Sequence, residues 1–161
     1  MQKDIIELAQ RLGQVLQAKN WLAATAESCT GGGVAYAITA ISGSSAWFDR
    51  SFVTYTNEAK QQMLGVAAST LEKYGAVSEA VVREMTAGTL AHSQANIAVA
   101  ISGIAGPTGG SDEKPVGTVW IAWQTSEGKQ HAQHYLFPGD REQVRLQAIR
   151  EALSGLLSFS K

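Results

Sequence analysis

The chain predicts a layered α/β/α domain with a mixed, partly parallel sheet that includes a C-terminal antiparallel hairpin. Three observations predict it. Helical stripes and buried-strand runs alternate early in the chain, the order that lays helices on both faces of a sheet. Two late runs, residues 117–125 and 130–137, flank Ser126-Glu127-Gly128-Lys129, which is a hairpin signal. A last helical stripe closes the chain. With 161 residues and no linker or internal repeat, residues 1–161 are expected to form a single domain.

The elements follow in order. Residues 4–18 carry Ile5, Leu8, Leu12, Val15 and Leu16 at helical spacing. WLAATA (21–26) predicts a buried strand, and 31–41 a helix rich in Ala and Ile that stops at Gly43. SFVTYT (51–56) is β-branched and aromatic, hence a strand. Asn57 is the expected N-cap of a helix over 58–64. Ser69 and Glu72 fit a capping box for a short helix ending near Gly75. Ser78 caps a helix over 79–92. NIAVAIS (96–102) predicts another buried strand. The final helix spans 140–158, with Leu146, Ile149, Leu153, Leu156 and Leu157 on one stripe.

Composition excludes several classes. Net charge is −1 and no basic run occurs, so nothing points to nucleic acid. No apolar run approaches the ~20 residues of a membrane span, and MQKDIIELAQ is unlike a signal peptide. The single cysteine fits a reducing cytosol, so a cytoplasmic location is expected. No Cys, His or carboxylate group has metal-ligand spacing, and no metal or cofactor is expected. The low charged fraction of 17% and the small-residue helices favour a homo-oligomer, a dimer or larger.

Strand-end loops carry the candidate chemistry, because sites in such sheets gather at the carboxyl ends of parallel strands. Glu27-Ser28-Cys29-Thr30-Gly31-Gly32-Gly33 joins a strand to a helix. Amides there suit an anion or oxyanion; a plain capped turn fits the spacing equally well. Cys29 is a possible thiolate nucleophile, but packing is the commoner fate of a lone cysteine. No histidine (92, 131 or 134) adjoins a strand-end loop, which weakens a Cys–His or Ser–His pair. Lys60, just beyond Tyr55, could serve Ser28 as base if burial depressed its pKa. Most lysines are simply exposed. The loop from Ser102 and Gly103 to Gly110 is either an anion nest or a surface connector. Arg141 sits in a first helical turn, where the dipole disfavours a cation unless an anion offsets it. Arg145 and Arg150 read as exposed.

TAESCTGGG, GSSAWFDRSFVTYTNEAK, GAVSE, SGIAGPTGGSDEKPVGTVW and FPGDRE, in that order over roughly residues 5 to 158, resemble the CinA C-terminal domain family. The resemblance implies hydrolysis of the carboxamide of nicotinamide mononucleotide, giving nicotinate mononucleotide and ammonia in pyridine-nucleotide salvage, without a metal. It implies Ser28 as nucleophile, Lys60 as base and Tyr55 as an aid to proton transfer. Lys60 is then expected to be buried. Thr30, Gly31, Gly32 and Gly103 would offer oxyanion amides. Ser45, Ser102, Gly103 and Arg141 would hold the substrate and its phosphate. Two other readings stand beside it: a nucleotide-binding, competence- or damage-linked module without catalysis, and an amidohydrolase of another substrate.

Overall fold

The computed structural model describes residues 1–161. Helix α1 (Lys3–Lys19) buries Ile5, Leu12 and Leu16 and ends at Asn20, in the left-handed region. Strand β1 (Ala23–Glu27) is buried along its whole length. Helix α2 (Gly33–Thr39) follows, then a 3-10 turn at Ser44–Ala46 and strand β2 (Phe48–Val53). Three helices come next: α3 (Asn57–Leu64), α4 (Ala68–Tyr74) and α5 (Glu79–Ala91). Strands β3 (Ile97–Gly103), β4 (Thr118–Thr125) and β5 (Gln130–Leu136) precede the long helix α6 (Arg141–Ser160). No helix is long and apolar enough to cross a membrane.

The sheet order is β2-β1-β3-β4-β5. β1 is parallel to both neighbours, whereas β4 runs antiparallel to β3 and to β5. This is the mixed α/β sheet expected from the sequence, hairpin included. β1 and β3 are central and covered on both faces, so they are buried almost from end to end, polar Thr25, Glu27 and Ser102 included.

Strand alternation divides the core in two. Ile97, Val99 and Ile101 face one way and pack with α1, α2 and α6. Ala26, Ala100 and Ala122 face the other way, against Val81, Val82 and Met85 of α5. Each fully buried Ile or Leu contributes about 1.5–3 kcal/mol. The second face is lined with alanine, which lets helices come close. A Cβ added to Gly88 of α5 would stand 2.0 Å from the Leu64 carbonyl oxygen, so only glycine fits there.

Several boundaries differ from expectation. α2 starts at Gly33 rather than residue 31, because Gly31 (φ +59) and Gly32 (φ +98) are left-handed and cannot join a right-handed helix. β2 runs from Phe48, three residues earlier than expected. Asp49 and Arg50 are tolerated because β2 is an edge strand: Asp49 binds Arg50 and accepts the Gln94 N–H. The cap of α3 is Thr56, not Asn57; its hydroxyl accepts the Ala59 N–H at 3.0 Å. α4 has no capping box at Ser69 and Glu72. Glu84 of α5 supplies the acceptor instead, taking the Ala67 N–H and the Thr70 hydroxyl. Ser78 caps α5 as expected.

The parallel register brings the carboxyl ends of β1, β2 and β3 to one edge. Because β4 and β5 run antiparallel, Leu136 pairs with Thr118 beside the Gly103–Val119 pair. The start of α6 therefore arrives at that same edge.

Candidate active site

Ser28 is the first residue past β1. Its N–H donates to Ile101 O (3.1 Å), and the Thr54 N–H donates to Glu27 O (2.9 Å). These bonds hold the chain in the sheet direction one residue beyond the strand. Alternation then sends neighbouring side chains to opposite faces. Glu27 turns toward α2, and Ser28 turns toward α3.

On the α3 side, Lys60 lies one turn after the Thr56 cap. Its Nζ is 3.2 Å from Ser28 Oγ and donates to Thr54 O at 2.8 Å. Lys60 is 1% exposed, so the burial expected from the sequence is met. Burial pushes its ammonium below the usual 10.5. None of the three ion pairs of the molecule involves Lys60, Arg141 or Arg145. An amine held this way, without a carboxylate, is readily neutral and can take a proton from a hydroxyl.

Ser28 and Lys60 open on a cavity of about 260 Å³, also lined by Cys29, Tyr55, Asn57, Ala76, Val77, Ser102, Gly103, Ala105 and Arg141. Ser102 is 1% exposed and its hydroxyl has no protein partner. Tyr55 stands at the rim, 60% exposed; its hydroxyl accepts from Arg141 Nη2 at 3.3 Å and is not bonded to Ser28 or Lys60. Arg141 Nη1 donates to Gly106 O at 2.8 Å. A second hollow, about 600 Å³, runs past Pro107, Val116 and Glu142 and shares Ala105 and Arg141 with the first. Arg141 thus stands where the two meet.

The Gly-rich turn behaves differently from its expected roles. The Thr30 hydroxyl donates to Glu27 Oε1 at 2.7 Å, and the Gly31 N–H to Ser28 O at 3.0 Å. The second and third amides of α2, Val34 and Ala35, donate to Glu27 at 2.9 and 3.0 Å, and the first, Gly33, donates to Thr30 O at 2.9 Å. Glu27, fully buried, therefore takes the helix start that the sequence had offered to a substrate anion. Thr30, Gly31 and Gly32 do not line the cavity. The N–H groups of Cys29, Thr30 and Gly32 donate to no protein group.

Ser45 is not at the site. It lies in the turn before β2, at the amino end of the parallel strands, whereas Ser28 is at their carboxyl end. A strand of that length separates them by roughly 15–20 Å. Cys29 packs in the core, and burial pushes its thiol up to about 12, as the packing reading required. Arg150 pairs with Asp4 on the surface. Arg145, read as exposed, is instead half-buried, with Nε donating to Cys29 O at 3.0 Å. Nowhere do three His, Cys, Asp or Glu side chains come together as metal ligands.

The CinA C-terminal domain matches residues 5–160. The chain belongs to the CinA C-terminal domain family. Among relatives in this family, it is 58% identical over 147 residues to the nicotinamide-nucleotide amidohydrolase PncC of Enterobacter agglomerans, covering 91% of this chain and 90% of that one. It is 56% identical over 153 residues to the PncC of Escherichia coli K12, covering 95% and 93%. The crystal structure of the competence/damage inducible protein CihA of Agrobacterium tumefaciens superimposes with a TM-score of 0.99 at 46% identity, over 100% of this chain and 98% of that one.

Proposed function

We propose that the chain is a nicotinamide-nucleotide amidohydrolase. It hydrolyses the carboxamide of nicotinamide mononucleotide to nicotinate mononucleotide and ammonia. One observation carries the reading: a buried lysine without an ion pair, 3.2 Å from a serine at the carboxyl end of a parallel strand. A module that only bound nucleotides would have no use for that amine. Relatives named for this activity cover nearly the whole chain.

Neutral Lys60 takes the Ser28 proton as Oγ attacks the carboxamide carbon. The tetrahedral intermediate carries its negative charge on the former carbonyl oxygen. Lys60 then returns the proton to the leaving nitrogen, with Tyr55 as carrier, and ammonia departs. An ester on Ser28 remains. Water attacks it, Lys60 accepts the water's proton, and collapse gives the carboxylate and restores the Ser28 hydroxyl. Arg141 holds the ribose phosphate between the two hollows, and Ser102 meets the substrate within the first. The fold acts as one unit in pyridine-nucleotide salvage.

Ammonia release from the mononucleotide, its riboside and free nicotinamide tests this reading. The mononucleotide should turn over fastest, and Ser28→Ala should abolish turnover with the fold intact. A Ser28→Ala variant with near-normal turnover would refute the nucleophile. A wild-type protein that binds the mononucleotide without releasing ammonia would make it a binding module.

A further inference from the structure

Arg145 is an unpaired cation whose partners are main-chain carbonyls of the nucleophile turn. Nε donates to Cys29 O at 3.0 Å, and Nη2 donates more weakly to Thr30 O at 3.4 Å. The guanidinium lies over Gly31, whose backbone (φ +59) is in a region that other residues avoid; a Cβ there would stand 3.4 Å from Nη2, in ordinary contact.

These bonds fix more than two oxygens. In a planar trans peptide the C=O and the next N–H point in opposite directions. Holding Thr30 O therefore aims the Gly31 N–H, which donates to Ser28 O at 3.0 Å. Holding Ser28 O in turn aims the N–H of Cys29. That N–H has no partner, and Cys29 lines the cavity beside Ser28. Each carbonyl that accepts a hydrogen bond makes the N–H of its own peptide a better donor, so a cation at the head of the series strengthens the last member.

We propose that Arg145 is a positioning residue, which aims and polarises the Cys29 N–H as donor to the oxyanion that forms on the acylated Ser28. The inference rests on the Ser28 mechanism and names the group that stabilises its intermediate. The α2 helix start is not available for that task, since Glu27 occupies it.

The test is steady-state kinetics of Arg145→Gln and Arg145→Lys on nicotinamide mononucleotide, with melting temperature measured in parallel. The donor serves the intermediate more than the ground state, so kcat should fall and KM should stay within about twofold. Loss of a direct oxyanion donor costs about 10²–10³ in kcat, so a misaimed donor should cost roughly ten- to a hundredfold. Lysine reaches one carbonyl but not two, and should fall between wild type and Gln. In Arg145→Ala, added guanidinium ion at non-denaturing concentration should restore part of kcat, and methylammonium less. A merely structural arginine would show no such ordering.

Unchanged kcat in Arg145→Gln, while Ser28→Ala is inactive, would overturn the inference and leave the nucleophile standing. A raised KM for the mononucleotide but not the riboside, with normal kcat, would make Arg145 a phosphate ligand instead. A loss of kcat that tracks the folded fraction and resists guanidinium would also overturn it.

Discussion

Replacing Glu27 by Gln changes one atom in a fully buried side chain and should cost much stability. Glu27 Oε1 accepts the Thr30 hydroxyl and the Val34 N–H; Oε2 accepts the Ala35 N–H and the Thr25 hydroxyl, with the Ser51 hydroxyl at 3.4 Å. Glutamine puts an NH₂ at one of those oxygens. The hydroxyls can turn and accept from it, but a backbone N–H cannot. Either Val34 or Ala35 is then left facing a donor, and an unsatisfied buried N–H costs about 1–3 kcal/mol. The surviving backbone bond loses its charge assistance, about 1 kcal/mol more. Removing an anion from a helix N-terminus adds about 0.3–1 kcal/mol. The expected loss is about 2–5 kcal/mol. Urea unfolding followed by tryptophan fluorescence measures it, since Trp47 and Trp123 are buried. With a slope of roughly 2 kcal/mol per molar, the midpoint should fall by about 1–2.5 M. A loss under about 0.5 kcal/mol would refute the claim that this carboxylate satisfies the α2 amides.

Lys60→Met should lower turnover by about 10²–10⁴, the usual contribution of a positioned acid–base group, in the ammonia assay. On the proposed mechanism the neutral amine is the active form, so kcat/KM should rise with pH toward the lowered Lys60 value. Stability has the same sign. Between that value and 10.5 the unfolded chain holds one more proton than the folded one, so stability rises with pH there; Lys60→Met should remove this rise in pH-dependent unfolding. Cys29→Ala should keep its turnover, and the Cys29 thiol, pushed up to about 12, should resist thiol reagents at pH 8 until the chain unfolds. Arg141→Ala should raise KM for the mononucleotide roughly ten- to a hundredfold, the worth of a charge-assisted bond, and leave KM for the riboside nearly unchanged.

The sheet was legible because period carries it. Ile97, Val99 and Ile101 on one face and Ala98 and Ala100 on the other form a short, β-branched run, too short for a typical helix, that fits a doubly covered strand. The Ser28–Lys60 pair was half legible. The residue types were in view, but their meeting depends on where β2 ends. Read to residue 56, the strand would carry Tyr55 inside the sheet. Ending at Val53 instead, it leaves Thr54 to Thr56 as the turn, which swings Tyr55 to the rim and sets the phase that turns Lys60 inward. Ser45 lies away from the Ser28–Lys60 pair because it precedes β2, whereas Ser28 and Lys60 follow β1 and β2, and residue type alone does not say which end of a strand a residue occupies.

Glu27 left a signal that could have been used. Gly32 holds the cap position of α2 with no side chain, so the first helix amides needed an acceptor from elsewhere. A carboxylate closing the preceding buried strand is the nearest one. Arg145 left none, since its partners are carbonyl oxygens 116 and 115 residues away, and every residue has a carbonyl. The two residues together decide where substrate charge can sit. A phosphate at α2 would have to displace a buried carboxylate, and Arg145 is spent on the turn. The cation left facing both hollows is Arg141. On the proposed reading the phosphate therefore sits there, with the carboxamide at Ser28 on the side away from the helix start.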